Sequence, residues 1–518
     1  MTLGTTGSWD RAAGTLVLEV VSDLLAHVEH GFSFTLNNPE TTRDPVDFVG
    51  IAASGIYVPQ YNATLGTGDK RPLLVAGFVV KKIGQDTTAA SGLNTIFVTL
   101  RAQASLGEVR GVTSVVIEGL VGGIAPDGDV PIRTRPAAGI GNTARWKRAT
   151  GKLELILGST GVFEALVDYV VEVSFVNPSY GQDPATEISI AALGVNSTII
   201  PATAMIVASG NEAPFLVADF LNKSIGQSTT VAGAMNTITV TLTVRVDMPG
   251  RFRTKITIAG LTGSGTPGKN SVLALSPTTT TFGSYARWHQ ASGKIVLTAM
   301  GNDAAARSPL VLSVQLRNGP SMQAARNVTV QTSYVDFGGA GPLTSKTLMT
   351  NAPGVAGPLL IAGFDVREMR HQSPSYGVQN HLILELSTNV DVSVSDLVIV
   401  VSGLTGTQTP SGLLAIQVDG AANNAVWNAS AAELRIPLNQ TLDKNAVYTL
   451  SWNMRNGQHD QPSPNITVSA TGVNFGISRT NVDKPGDNSD PLKIIGWVHK
   501  TIAQSTADSG AENTLTLT

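Results

Sequence analysis

Few side chains in this 518-residue chain have the types and spacing of a chemical site. His27-Val28-Glu29-His30 is the one close cluster of metal-ligating types, and it lacks a third partner. The remaining histidines, His289, His371, His381, His459 and His499, fall at unrelated places. His371 stands where sister segments carry Gln85, Gln227 and Gln504, each nine residues before an Asn, so it reads as a surface or loop histidine and not as a catalytic base. Asp483, Asp487 and Asp490 are hard oxygen donors that would suit one Ca2+ near Asp487 at a domain junction, but the equivalent stretch 351–357 has no carboxylate, which argues against a calcium clamp at every junction. The stretch 263–268 spells G-x-G-x-x-G; its sister loops do not, and a phosphate cradle needs a helix start directly afterwards, so it reads as a turn. Lys152 and Lys294 match one another, as a self-formed Lys–Asn crosslink would require, but Thr15 and Ala432 replace them in the other copies. Asn-x-Ser/Thr sequons stand at Asn62, Asn196, Asn222, Asn327, Asn428, Asn439 and Asn465, and permit a secreted glycoprotein carrying N-linked glycans. No catalytic residue, cofactor or metal site is assigned, and the chain is read as a non-enzyme.

Composition narrows the remaining classes. Charged residues make up only 14% of the chain and the net charge is −3, so there is no electrostatic footprint for nucleic acid or an anionic membrane. Apolar runs such as Leu397–Val401 are far shorter than the roughly 20 residues of a membrane helix. With no cysteine there is no disulfide or thiolate chemistry, yet the 42% hydrophobic content is enough for real cores.

What must position any site is a repeat. Pro72-Leu73-Leu74-Val75-Ala76-Gly77-Phe78 returns at Pro214, Pro358 and Pro491, at steps of 142, 144 and 133 residues. Solenoid turns and propeller blades run to about 20–50 residues, so the period is that of a small domain with its own core. The boundaries expected are 1–71, the C-terminal part of one repeat; 72–213, 214–357 and 358–490, complete repeats; and 491–518, the N-terminal part of another. The chain is therefore read as a window on a longer polypeptide, with any targeting segment outside it.

Inside a unit the signals are those of strands. Ile96, Val98 and Leu100 alternate with Thr95, Phe97 and Thr99, and the same period of two recurs at Ile238, Val240, Leu242 and at Leu382, Leu384, Leu386. A Gly-Leu-x-Gly turn with Pro seven residues after its first Gly follows at Gly119, Gly260 and Gly403. Trp9, Trp146, Trp288 and Trp427 each open a further strand; such a row could stack sugars, but one Trp per unit at a fixed strand entry reads as a core residue. Longer alternating strands end at Asn38, Asn177, Asn318 and Asn456. Six to eight short strands per unit without a convincing helical window predict an all-β chain, a tandem array of immunoglobulin-like antiparallel β-sandwich domains of about 140 residues each.

With the Gly-Leu-Thr-Gly…Pro turn and the Trp…Ala…Gly strand entry, the units resemble the cysteine-free tandem sandwich repeats of algal and protist cell-surface proteins and of extracellular filaments such as mastigonemes. The resemblance implies an extracellular, cell-surface or appendage setting and carries no functional residue. The function expected is a structural repeat segment of a longer filament, fibre or cell-surface stalk, giving extension and packing against copies of itself or other filament subunits. Its low-charge, Thr-rich strand faces suit such lateral contacts. The alternative is an adhesin or carbohydrate-binding β-sandwich array, which would group outward aromatics at one end of a sandwich.

Overall fold

The computed structural model describes residues 3–518 except 57, 108–110, 251–252, 269–270, 301, 334–342, 354–355, 393–396, 439, 473–474 and 497–499. The described residues contain strands and a few single 3-10 turns but no α-helix, and no helix is long and apolar enough to cross a membrane. In the first unit the strands are β1 (Phe78–Gln85), β2 (Leu93–Ala102), β3 (Val112–Glu118), β4 (Gly128–Arg135), β5 (Thr143–Lys147), β6 (Lys152–Ile156), β7 (Tyr169–Val176), β8 (Ser189–Gly194), β9 (Ser197–Ala204) and the short β10 (Ile206–Val207). Their hydrogen-bonded order is β9-β8-β3-β6-β5-β4-β7-β2-β1-β10.

One strand turns this row into two layers. Residues 128–131 of β4 pair with β5, and residues 132–135 pair with β7, so β4 passes from one sheet to the other at a corner of the sandwich. The second unit repeats the whole order, with Val272–Thr279 at the corner, and the third repeats it apart from the last short strand, with Gly412–Val418 at the corner. The fold is thus a tandem array of β-sandwiches.

The alternating residues face where their period places them. Ile96, Val98 and Leu100 are fully buried, whereas Thr95, Phe97 and Thr99 on the other face are only half-buried. Each unit has its own core, and Trp146, Trp288 and Trp427 lie in the three of them.

The array departs from a purely antiparallel plan at one edge of each unit. β10 pairs parallel with β1, Thr350–Asn351 pairs parallel with Phe220–Gln227, and Asp483 forms a parallel bridge to Glu368. The reason lies in where the chain comes in and goes out. Phe78, at the entrance, pairs with Ala102 at one end of β2, while Gln85 pairs with Ile96 near its other end. The departing chain must run toward the Gln85 end, the same direction as β1. Entrance and exit therefore sit at opposite ends of a ten-residue strand, about 30 Å apart at the usual rise.

Among the described residues, the strands of the terminal stretches pair as hairpins: Leu3–Asp10 with Thr15–Val20, Gly50–Ala53 with Val58–Asn62, and Ile502–Gln504 with Leu515–Leu517.

Candidate functional site at the inter-unit junctions

Phe215, Leu359 and Leu492, each the residue after the repeat's proline, have no exposed surface and belong to the core of the unit that precedes them. Phe215 meets Phe175 edge-on at 5.6 Å, and Phe175 lies 4.6 Å from Trp146. All three plugs hold left-handed backbone, with φ of 57°, 55° and 56°. That conformation costs an L-residue about 1–2 kcal/mol. Burying the side chain returns about 1.5–3 kcal/mol.

Beyond the plug the chain is stitched between two loops of the same preceding unit. Val217, Ile361 and Ile494 form antiparallel bridges with Gln182, Gln323 and Gln461. On the other side Ala218 N donates to Thr88 O, Ala362 N to Thr230 O and Ile495 N to Pro374 O, at 2.8–3.0 Å. The next unit takes hold at once: Arg245 N donates to Asp219 O and Asn389 N to Gly363 O. Four residues separate Phe215 from Phe220, the first core residue of the second unit, and two separate Leu359 from Ala362, the first of the third. No free linker lies between the cores.

Two sets of amide side chains lock this handover. Gln182 Nε2 donates to Val121 O and Phe215 O, Gln323 Nε2 to Thr262 O and Leu359 O, and Gln461 Nε2 to Thr405 O and Leu492 O. Each glutamine thus ties the Gly-Leu-x-Gly turn to the plug. The turn's second glycine is required at this place: a Cβ on Gly263 or Gly406, at φ of 85° and 79°, would lie 1.9 Å from the clamping glutamine's Oε1. Sequence reasoning passed over these glutamines, although each stands five residues after the strand-closing Asn.

The second set is a buried ladder. Asn94 Nδ2 donates to Gln85 Oε1 at 2.8 Å and to Asn177 Oδ1 at 2.9 Å, and Asn177 Nδ2 donates to Thr87 O and Ala89 O. Gln227, Asn236 and Asn318 repeat the pattern in the second unit. Gln85 Nε2 reaches on to Asn211 O and Leu216 O, and Gln227 Nε2 to Leu360 O. Such groups, unpaired, would cost about 1–3 kcal/mol each, so the ladder binds loop, strand and exit segment as one unit.

In the third unit His371 takes the glutamine's place. The expectation of a surface or loop histidine is corrected here: His371 is 3% exposed, with Nδ1 2.8 Å from Asn380 Nδ2 and Nε2 2.9 Å from Asn488 O. Burial pushes this imidazole below its ordinary pKa, against the pull of the Asn488 carbonyl and the nearby Asp490 and Asp487 carboxylates.

Charge is added at the first junction. Arg245 joins Asp219 at 2.8 Å and Asp183 of the preceding unit at 2.7 Å, and Arg307 also pairs with Asp183. The hydrogen bond from Arg245 holds the Asp183 carboxyl below the usual carboxylate range. A small apolar cluster of Ala213, Leu216, Ala218, Val246 and Leu343 lies beside it, and Ser345 Oγ donates to Ser179 O across the same junction. At the second junction Asn389 does the corresponding work uncharged, accepting from Gly363 N and donating to Ile361 O.

The other residues singled out by type do not converge. Asn62, Asn196, Asn222, Asn327, Asn428 and Asn465 are exposed and scattered over the chain, and Asn439 lies outside the described residues. His27, His30, His289 and His459 are exposed, His381 is half-buried beside Asn453, and His499 lies outside the described residues. Asp487 accepts from Ser489 N and Oγ, Asp490 accepts from Gly486 N, and Asp483 pairs with Arg367. The Lys493 ammonium already sits on Asp487 O and Asn488 Oδ1. Among the described residues no three His, Cys, Asp or Glu side chains gather to hold a metal ion. The G-x-G-x-x-G stretch leads to the strand Val272–Thr279 and not to a helix. Two shallow, open hollows, one beside Lys82, Phe97 and Ile206 and one beside Pro126, Asp127 and Arg148, carry no converging polar set.

No protein-family model matches the chain, and no curated protein matches it. Among solved structures it is similar to the C-terminal domain of the Streptococcus pyogenes antigen I/II-family protein AspA, with 9% identity, a TM-score of 0.30 and coverage of 51% of this chain and 98% of that one. The collagen adhesin of S. aureus matches with 11% identity and a TM-score of 0.16 over 51% of this chain and 91% of that one. A putative membrane-anchored protein from Corynebacterium diphtheriae matches with 10% identity and a TM-score of 0.17 over 86% of this chain and 95% of that one. At TM-scores this low none of the three speaks to this chain's role, and its fold is read from its own strand order and cores.

Proposed function

We propose that this chain is a structural segment of a longer extracellular filament, fibre or cell-surface stalk, in which sandwiches are strung end to end to give reach and stiffness. The observation that carries the reading is the handover at the junctions. The plug of one core and the first core residue of the next are separated by four residues at the first junction and by two at the second, all of them within hydrogen-bonded segments. A chain whose task was to present independent binding modules would gain from slack between them, whereas this one has none to give. Self-association through exposed strand faces, N-linked glycans at the exposed sequons and the absence of enzymatic activity belong to the same proposal.

Small-angle scattering and single-particle imaging of the whole chain test it. A stiff rod with one regular repeat per unit, longer than the strand length of about 30 Å because the handover segment adds to it, is the expected result. A broad distribution of angles between neighbouring units would overturn it. Selective, saturable binding to a glycan array by residues 72–220 would favour the adhesin or carbohydrate-binding reading instead.

A further inference from the structure

The third unit closes its exit with a titratable ring where the first two use an amide. The ladder fixes which tautomer that ring must adopt. Asn380 cannot turn its amide over, because its Oδ1 accepts from Ser373 N at 3.1 Å and its Nδ2 also donates to Asn456 Oδ1 at 2.8 Å. Asn456 is held in turn by donating to Ser373 O and Ser375 O. His371 Nδ1 must therefore accept from Asn380, and its Nε2–H must donate to Asn488 O. A second proton on Nδ1 would set donor against donor and place a charge at a buried site. The backbone around the ring belongs to the same closure, with His371 N donating to Ser489 O and Met369 N to Asp483 O.

We propose that His371 is a pH-sensitive latch: its protonation releases the exit segment 483–495 of the third unit, so that this junction loosens in mildly acidic surroundings while the first two stay closed.

Among the described residues, the charged groups that act on the ring come from the exit segment. Asp487 and Asp490 favour the proton and Lys493 opposes it. Its other neighbours are uncharged: Asn380 and, one step on, Asn456 in the ladder, and Leu382 opposite it in the strand pairing. Burial outweighs the two carboxylates, so the folded protein favours the neutral ring. With the pKa depressed by folding, the closure is at full strength above the ordinary histidine value near about 6.5 and weakens as the pH falls from there toward the depressed value. Gln85 and Gln227, which hold the same position in the first two units, do not titrate.

Hydrogen exchange of the whole chain at several pH values, corrected for the intrinsic rate, tests the latch at three equivalent amides. Val217 N, Ile361 N and Ile494 N donate to Gln182 O, Gln323 O and Gln461 O. Protection of Ile494 should fall by up to about tenfold per pH unit below about 6.5, while Val217 and Ile361 keep theirs. His371→Gln should flatten the Ile494 profile, and Gln227→His should move the pH dependence to Ile361. Equal pH dependence at all three junctions, or an unchanged profile in His371→Gln, would overturn the proposal. If His371→Gln does not fold, a pH-independent Ile361 in Gln227→His overturns it alone. The latch goes beyond the filament reading, and a flexible chain in scattering would leave these profiles untouched.

Discussion

Trp9 and Trp146 stand at the same place in the repeat and in the same hairpin register, Trp9 opposite Leu16 and Trp146 opposite Leu153. Trp9 is 40% exposed and Trp146 only 3%. Leu73 and Phe215 form a second pair of this kind: their φ values are 59° and 57°, yet Leu73 is half-buried and Phe215 fully buried. The terminal segment and the complete unit thus share local conformation and differ in burial. Turn and hairpin are written into a few neighbouring residues, and the apolar face they present is worth little until a second layer covers it.

The difference can be tested by making the same change in both places. Phe215→Ala should lower the stability of the first unit by about 3–5 kcal/mol, because it empties a fully buried site, whereas Leu73→Ala should cost about 1 kcal/mol. Denaturant titration followed by unit-resolved hydrogen exchange reads both, and equal effects would show that the plug does not complete the preceding core. A smaller contrast is expected at glycines. Gly14, at φ of 64°, has open space where a Cβ would go, so Gly14→Ala should cost only the backbone term of about 1–2 kcal/mol. Gly406→Ala meets Gln461 as well and should lose clamp hydrogen bonds worth roughly 1–3 kcal/mol more. The smallest effect should come from Asp183→Asn at the first junction. Asp183 is 60% exposed, so the loss should stay within about 1 kcal/mol and vanish at high salt. A larger, salt-independent loss would mean that charge, and not the plug and its clamps, holds that junction.

Much of the sandwich was legible because period two is a one-dimensional signal. Ile96, Val98 and Leu100 announce a buried face without reference to any partner strand. The Gly and Pro punctuation was equally readable, since positive φ is a local demand. The recurring Asn residues were seen only as strand limits. That Asn94 and Asn177, 83 residues apart, share a hydrogen bond follows from β7 pairing with β2, and no spacing along the chain encodes it. His371 was misread for the same reason: a polar residue before a loop looks exposed until the ladder beneath it is known. The clamping glutamines carried a readable signal in their fixed distance from the strand-closing Asn, but their partners lie in another turn and in the plug.

By itself the order of residues determined the repeat, its period, the strands and their inward faces, because each rests on contacts between near neighbours or on simple alternation. Tertiary structure alone decided that the residue after each proline, which looks like the start of a unit, finishes the core of the one before it. A plug can be recognised only by the hole it fills, and that hole is assembled from strands up to about a hundred residues away.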